Sequence, residues 1–285
     1  MTSTVLDGVL CLLLVSAAVV VVTTATPREP TGEGRAADVA STLTTTTTSV
    51  NHTLDPRTGP TGVGGSNRSD AFDRTDHGTL ATLLARAAVA RATIDGERLW
   101  PARNDFGRAV VAATTAAIRP NHTLITATWR PYPDSSIRGR IVVGSRPPPD
   151  RPVHAATVEV SSGFPTVRDD ARRAARSDEI EGVAGVVAGG IVREIFPPTH
   201  TRISASGTSP EAALVRHRYR RVADHLGVSP PPRPASGDVN DANDRLEAAL
   251  SEQVARDLHA ANASATTAAE EIRLGRVRIV VRTWP

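Results

Sequence analysis

An uncharged, apolar run at residues 8–25 places the strongest constraint on this chain. Its 18 residues read GVLCLLLVSAAVVVVTTA. A helix rising about 1.5 Å per residue over that length just spans a bilayer core of about 30 Å. No basic residue precedes the run, although the n-region of a secretory signal peptide requires one. We therefore predict an uncleaved transmembrane anchor over residues 1–25. A signal peptide cleaved near Thr23 and Ala25 is the alternative.

The segment after this run has a different composition. Residues 26–70 are rich in Thr, Gly, Pro and Ser, and they include five consecutive threonines at 44–48. They hold few large apolar side chains, so burial of this segment would not offset the loss of chain entropy. This composition predicts a disordered stalk, and it leaves residues 71–285 as the folded domain.

Residues 71–285 show both helical and β periodicity. Apolar residues recur at helical spacing in residues 78–94, 104–118, 181–196, 210–227 and 241–261. Short β-branched runs lie at residues 123–129, 137–143, 153–160 and 276–284. Prolines separate the first three runs, which indicates a three-stranded meander, and we expect the last run to join the same sheet. The predicted fold class is α+β, with a small, mainly antiparallel sheet packed by several helices.

The composition excludes several kinds of chemistry. The chain has 33 arginines and no lysine. It therefore has neither the lysine of a P-loop nor a lysine amine for Schiff-base chemistry. Its single cysteine, Cys11, excludes an intramolecular disulfide and a cysteine-ligated zinc site. The eight histidines show no H-E-x-x-H spacing. We therefore expect no catalytic residues, no metal, no cofactor and no enzymatic activity.

Four of the seven asparagines begin an N-x-S/T sequon without proline. The glycosylation candidates are Asn51, Asn67, Asn121 and Asn262. They favour a single-pass protein of the cell membrane whose domain is extracytoplasmic. Arg28 and Arg35, which follow the apolar run, favour a cytoplasmic domain instead by the positive-inside rule. The orientation therefore stays open.

The densest basic cluster lies in the helix predicted at residues 210–227. Its members are Arg216, Arg218, Tyr219, Arg220 and Arg221. Nucleic acid or anionic lipid could bind here, with Tyr219 as a stacking platform. A solvated helix face accounts for the same pattern, and no nucleic-acid fold signature accompanies it. Nucleic acid is therefore not the partner that we expect.

Three segments carry a resemblance to a known kind of protein. They read MTSTVLDGVLCLLLVSAAVVVV, GTLATLLARAAVARATIDG and RPYPDSSIRGRIVVGSRPPPDRPVHAATVEVSSGF. They resemble uncharacterised haloarchaeal membrane-anchored proteins, and the resemblance implies a place in the envelope or a pilus-like secretion system. The net charge of +3 departs from the acidic composition usual in halophiles.

Two functional hypotheses of different classes follow. The first is a non-enzymatic, membrane-anchored surface protein, a structural or accessory component of the envelope or a pilus-like assembly. Its partners would be membrane lipid, through the N-terminal helix, and other envelope or pilus-like proteins. The alternative is a cytoplasm-facing binding module whose basic helix meets nucleic acid or anionic lipid. An extracellular hydrolase is a third class, but no motif supports it.

Overall fold

The computed structural model describes residues 32–53, 73–99, 104–177, 179–198, 210–229 and 238–285. These ranges contain eight helices and eight strands. In chain order they are α1 Gly32–Thr45, β1 Thr47–Thr53, β2 Asp73–Thr79, α2 Leu80–Ala90, β3 Thr93–Ile94, β4 Glu97–Arg98, α3 Asn104–Ile118, β5 Thr123–Trp129, β6 Ile137–Gly144, β7 His154–Ser161, α4 Arg168–Ser177, α5 Ile180–Ile195, α6 Pro210–Leu226, α7 Asp238–Ala260, α8 Ala265–Glu271 and β8 Arg276–Thr283.

The strands form two sheets. β1 and β2 pair with each other, and the other six pair antiparallel in the order β4-β3-β6-β5-β8-β7. The last strand, β8, lies between β5 and β7. The predicted adjacency of β5 and β6 is confirmed. The predicted meander is wrong at its third strand, because β7 pairs with β8 rather than β6.

One face of the six-stranded sheet is buried under helices. Ile125, Ala127 and Trp129 of β5 point into the core, and alternate residues of β6 and β8 do the same. α1 packs against β7 and β8, and α2 packs against β5 and β6. Thr79 caps α2, because its Oγ1 accepts a hydrogen bond from the Thr82 backbone N–H at 3.1 Å. The core combines aliphatic side chains and small residues with a few aromatic rings, such as that of Trp129.

Asp257 joins the helical layer to the sheet. Its Oδ2 accepts hydrogen bonds from Tyr132 Oη at 2.8 Å and from the Ser136 backbone N–H and Oγ at 2.8 and 2.7 Å. Gln253 Nε2 donates to its Oδ1 at 3.1 Å. The carboxylate thus connects α7 to the β5–β6 loop.

The predicted disordered stalk is wrong over residues 32–53, and the rest of its predicted range, 26–70, lies outside the described residues. Residues 32–53 form α1 and β1, and Ala36, Leu43 and Val50 are buried in the core. The prediction failed because the average composition of a segment does not show at which positions its apolar residues lie. Ala36, Ala40 and Leu43 have helical spacing and give α1 one apolar face. The threonine-rich run suits a strand, because Thr is β-branched.

The predicted fold class needs the same correction. No helix in the described ranges is long and apolar enough to cross a bilayer. Residues 8–25, where the anchor was predicted, lie outside those ranges. Within the described ranges the chain is an α+β structure with eight helices and two sheets, where a stalk and one small sheet were predicted.

Candidate anion-binding site

The face of the six-stranded sheet that points away from the core is a groove of about 1040 Å³. Nine arginines line it. They are Arg91, Arg98, Arg130, Arg138, Arg140, Arg273, Arg276, Arg278 and Arg282. Among the lining residues that the structure describes, Glu159 is the only carboxylate. The described lining of the groove therefore carries a large excess of positive charge.

Strand pairing positions four of these arginines as a grid. Thr128 of β5 pairs with Arg140 on β6 and with Arg278 on β8. Because neighbouring strands lie about 4.8 Å apart, the two arginines start about 10 Å from each other. Arg138 and Arg276 lie two residues along the same strands, on the same face. An anion placed over Thr128 therefore has arginine side chains on both sides.

The next row of the groove is uncharged. Thr126 pairs with Val142 on β6 and with Val280 on β8, and Val280 pairs in turn with Thr157 on β7. Thr126 is 7% exposed, and its Oγ1 is buried without a hydrogen-bond partner in the described structure. This row thus holds two valines and two threonines, and it lies between the row of Arg140 and Arg278 and the next arginine of β8, Arg282.

Like charges crowd around the groove. Burial lowers the pKa of Arg91, and the neighbouring charge of Arg98 lowers it further. At the β8 end, burial and then the charges of Arg273, Arg172 and Arg276 lower the pKa of Arg168. Both shifts reflect first the burial of the guanidinium and then the repulsion between neighbouring positive charges. A guanidinium can bind phosphate or carboxylate oxygens in bidentate fashion, which makes the groove a candidate site for an anion.

No group of three or more His, Cys, Asp and Glu residues that could hold a metal occurs within the described ranges. The arrangement can therefore bind and orient an anion through its arginines, and the threonines of β5 add hydroxyls beside them.

The basic cluster predicted on α6 is only partly at the surface. Tyr219 is 2% exposed; its ring stacks on Phe196 with centroids 3.8 Å apart, and its hydroxyl donates to Asn243 Oδ1 at 2.5 Å. A ring packed in this way offers no face to a nucleic-acid base. Arg220 is exposed, whereas Arg216, Arg218 and Arg221 are half-buried.

One member of that cluster supports the groove indirectly. Arg221 Nη2 donates to the Arg98 backbone oxygen at 3.4 Å, and His225 Nε2 lies 3.1 Å from the same oxygen. Arg98 belongs to β4, the edge strand that closes one side of the groove. α6 therefore contributes to the site by holding β4 in place.

Three of the four glycosylation candidates lie on exposed backbone. Asn51 lies on β1, where its Oδ1 accepts a hydrogen bond from Thr75 Oγ1 at 2.8 Å. Asn121 and Asn262 are exposed at turns, and Asn67 lies outside the described residues. Their glycosylation stays a prediction.

The sequence analysis did not predict the arginine groove, although the alternation of arginines in two of its strands is visible in the sequence. In β8, Arg276, Arg278 and Arg282 alternate with buried residues, and Arg138 and Arg140 do so in β6. Alternation shows that the arginines of one strand share a face. It does not show that β6 and β8 lie on either side of β5, and that order is what assembles the groove.

Comparison with known proteins identifies a family but no activity. No curated protein and no solved structure matches the chain. A family model matches residues 6–284, which is nearly the whole chain. The match agrees with the expectation of an uncharacterised family. It indicates neither a haloarchaeal source nor a role in a pilus-like secretion system. The chain belongs to DUF7284, a family of unknown function.

Proposed function

We propose that this protein is a non-enzymatic binding module that holds a polyanion in the arginine groove of its six-stranded sheet. The observation that supports this most strongly is nine arginines against one carboxylate in a single groove. The whole chain has 33 basic and 30 acidic residues of the Lys, Arg, Asp and Glu classes. Because the chain has nearly equal numbers of basic and acidic residues, its overall composition does not account for nine arginines and one carboxylate in a single groove.

The shape of the surface favours one class of anionic partner over another. A concave surface lined mainly by one sign of charge focuses its potential on a ligand inside it. A linear or compact polyanion fits such a groove, whereas a flat lipid surface meets only its rim. We therefore favour a phosphate-bearing ligand over an anionic membrane, and we place the contact on the sheet rather than on α6.

This proposal belongs to the same class as the binding-module hypothesis drawn from the sequence, with a different surface. The envelope or pilus-like role implied by the haloarchaeal resemblance stays a prediction, and so does an extracytoplasmic location. A polyanion-binding groove is compatible with an accessory role on either side of a membrane.

Binding measured against salt tests the proposal. A fluorescently labelled oligonucleotide and inorganic tripolyphosphate are titrated with the full chain over a series of NaCl concentrations, and anionic vesicles serve as the flat comparison surface. We expect both phosphate ligands to bind, with log Kd rising linearly with log salt because bound counterions are released. Absence of binding at low salt, or binding to vesicles alone, contradicts the proposal.

A further inference from the structure

Thr126 is the feature of the groove that charge alone does not explain. Its Oγ1 is buried and has no hydrogen-bond partner, yet the residue lines the groove. A buried hydroxyl without a partner disfavours the folded state, and proteins satisfy nearly all such groups. The hydroxyl therefore indicates a ligand group that exchanges a hydrogen bond with it.

The surroundings of Thr126 describe that ligand group. Val142 and Val280 flank Thr126 on the neighbouring strands, and Val142 is 39% exposed. An exposed valine beside an unsatisfied hydroxyl suits an uncharged ring that has both an apolar face and a polar edge.

The cationic part of the groove begins one row away. Thr128, two residues along β5, lies between Arg140 and Arg278. Two residues of a strand span about 7 Å, so the row of Thr126 and the row of Arg140 and Arg278 start about 7 Å apart along the sheet. A single small ligand can therefore reach both.

We propose that the groove binds a nucleotide-type phosphate ester, with its ring against Val142, Thr126 and Val280 and its phosphates between Arg140 and Arg278. This inference rests on the proposed function and names its ligand class. The same chemistry occurs in a free nucleotide and in one unit of a nucleic acid strand, and the experiment separates these two sources.

The test uses two variants of Thr126. Thr126→Val keeps the shape and removes the hydroxyl, whereas Thr126→Ser keeps the hydroxyl. Calorimetry gives Kd for a nucleoside triphosphate, for inorganic tripolyphosphate and for a short oligonucleotide.

We expect the wild type to bind the nucleoside triphosphate more tightly than tripolyphosphate. We expect Thr126→Val to weaken nucleotide binding about fivefold, the usual effect of one hydrogen bond, and to leave tripolyphosphate binding unchanged. Thr126→Ser keeps most of the affinity.

The outcomes distinguish this inference from the proposed function. If tripolyphosphate binds as tightly as the nucleotide, or if Thr126→Val changes neither affinity, the nucleotide assignment is overturned while polyanion binding stands. If none of the ligands binds, both fail. If the nucleotide assignment holds, the tighter of the nucleoside triphosphate and the oligonucleotide identifies the source. A thermal melt of Thr126→Val at or above the wild-type temperature shows that the variant is folded.

Discussion

Glu159 Oε2 accepts a hydrogen bond from Arg276 Nη1 at 2.7 Å, across the β7–β8 strand pair. In the described part of the groove, Glu159 is the one carboxylate among nine arginines. Its direct partner across the ladder is Arg278, which belongs to the proposed anion site. Glu159 therefore occupies part of the arginine surface that a bound anion would use.

Removing this carboxylate is expected to strengthen binding. In Glu159→Gln, the polyanion no longer competes with an internal negative charge, and we expect affinity at low salt to rise about two- to fivefold, the range of one exposed ion pair. Both side chains of the pair are largely exposed, so the melting temperature should change little. Titration with labelled oligonucleotide measures the change. Glu252→Gln on α7 is the matched control, because it is exposed and outside the groove. Equal affinities of the Glu159→Gln protein and the wild type contradict the prediction.

Asp257 is expected to support stability rather than binding. Asp257→Ala leaves Tyr132, Ser136 and Gln253 without their shared acceptor. We expect the free energy of unfolding to fall by about 1–3 kcal/mol, because partly buried donors lose their partner. Urea unfolding followed by circular dichroism measures the loss. Asp244→Ala, at an exposed position on the same helix, should change stability by less than about 0.5 kcal/mol. Similar values for the two variants would show that the Asp257 contacts do not hold the β5–β6 loop.

Gly139 is expected to tolerate no side chain. It lies on β6 between Arg138 and Arg140, and a Cβ there would come within 2.1 Å of the Ala88 backbone oxygen on α2. Gly139→Ala should therefore push β6 away from α2 and lower stability by about 1–3 kcal/mol. Gly185→Ala on α5 is the control, since its Cβ would meet Ser251 Oγ at 3.8 Å. A glycine-to-alanine change inside a helix then stabilises by up to about 1 kcal/mol. Equal unfolding midpoints for the two variants would contradict the close approach of β6 and α2.

Tyr132 should give the protein a characteristic response to alkaline pH. Burial raises the pKa of its hydroxyl well above the usual range, and the charge of Asp257 adds to the effect although a hydrogen bond with Ser135 opposes it. In the unfolded chain the same phenol titrates near pH 10. The folded state therefore holds a proton that the unfolded state releases, and stability should fall as pH rises above about 10. Denaturant titrations from pH 8 to 11 measure this slope. Tyr132→Phe should show a shallower slope, whereas parallel curves for the two proteins would contradict the raised pKa.

Sequence reasoning captured local elements better than their arrangement. It located β5, β6 and β8 because each has a clear apolar alternation, and it found α7 from its apolar seam. It missed α1 and β1, since small and β-branched residues in a threonine-rich segment look disordered when only composition is averaged.

The candidate site was missed for a different reason. The groove depends on the strand order β6-β5-β8-β7, which joins residues more than 100 positions apart and has no local signature. The burial of Tyr219 was open to inference, since Ala212, Val215, Tyr219 and Val222 share one helical face. Tyr219 was interpreted instead as part of the basic cluster, because arginines surround it in the sequence.

The most direct test of polyanion binding in the groove compares two double variants of equal charge. Arg140→Gln/Arg278→Gln removes the pair that flanks Thr128. Arg108→Gln/Arg256→Gln removes two exposed arginines that pair with Asp105 and Gln253 outside the groove. Oligonucleotide affinity is measured for both and for the wild type across a salt series. We predict at least about a tenfold loss for the groove variant, with a salt slope reduced by about 1.4–1.8, because each lost phosphate contact removes about 0.7–0.9. The control should match the wild type. Equal losses in the two double variants would show that only overall charge matters, and this would contradict a binding site on the sheet.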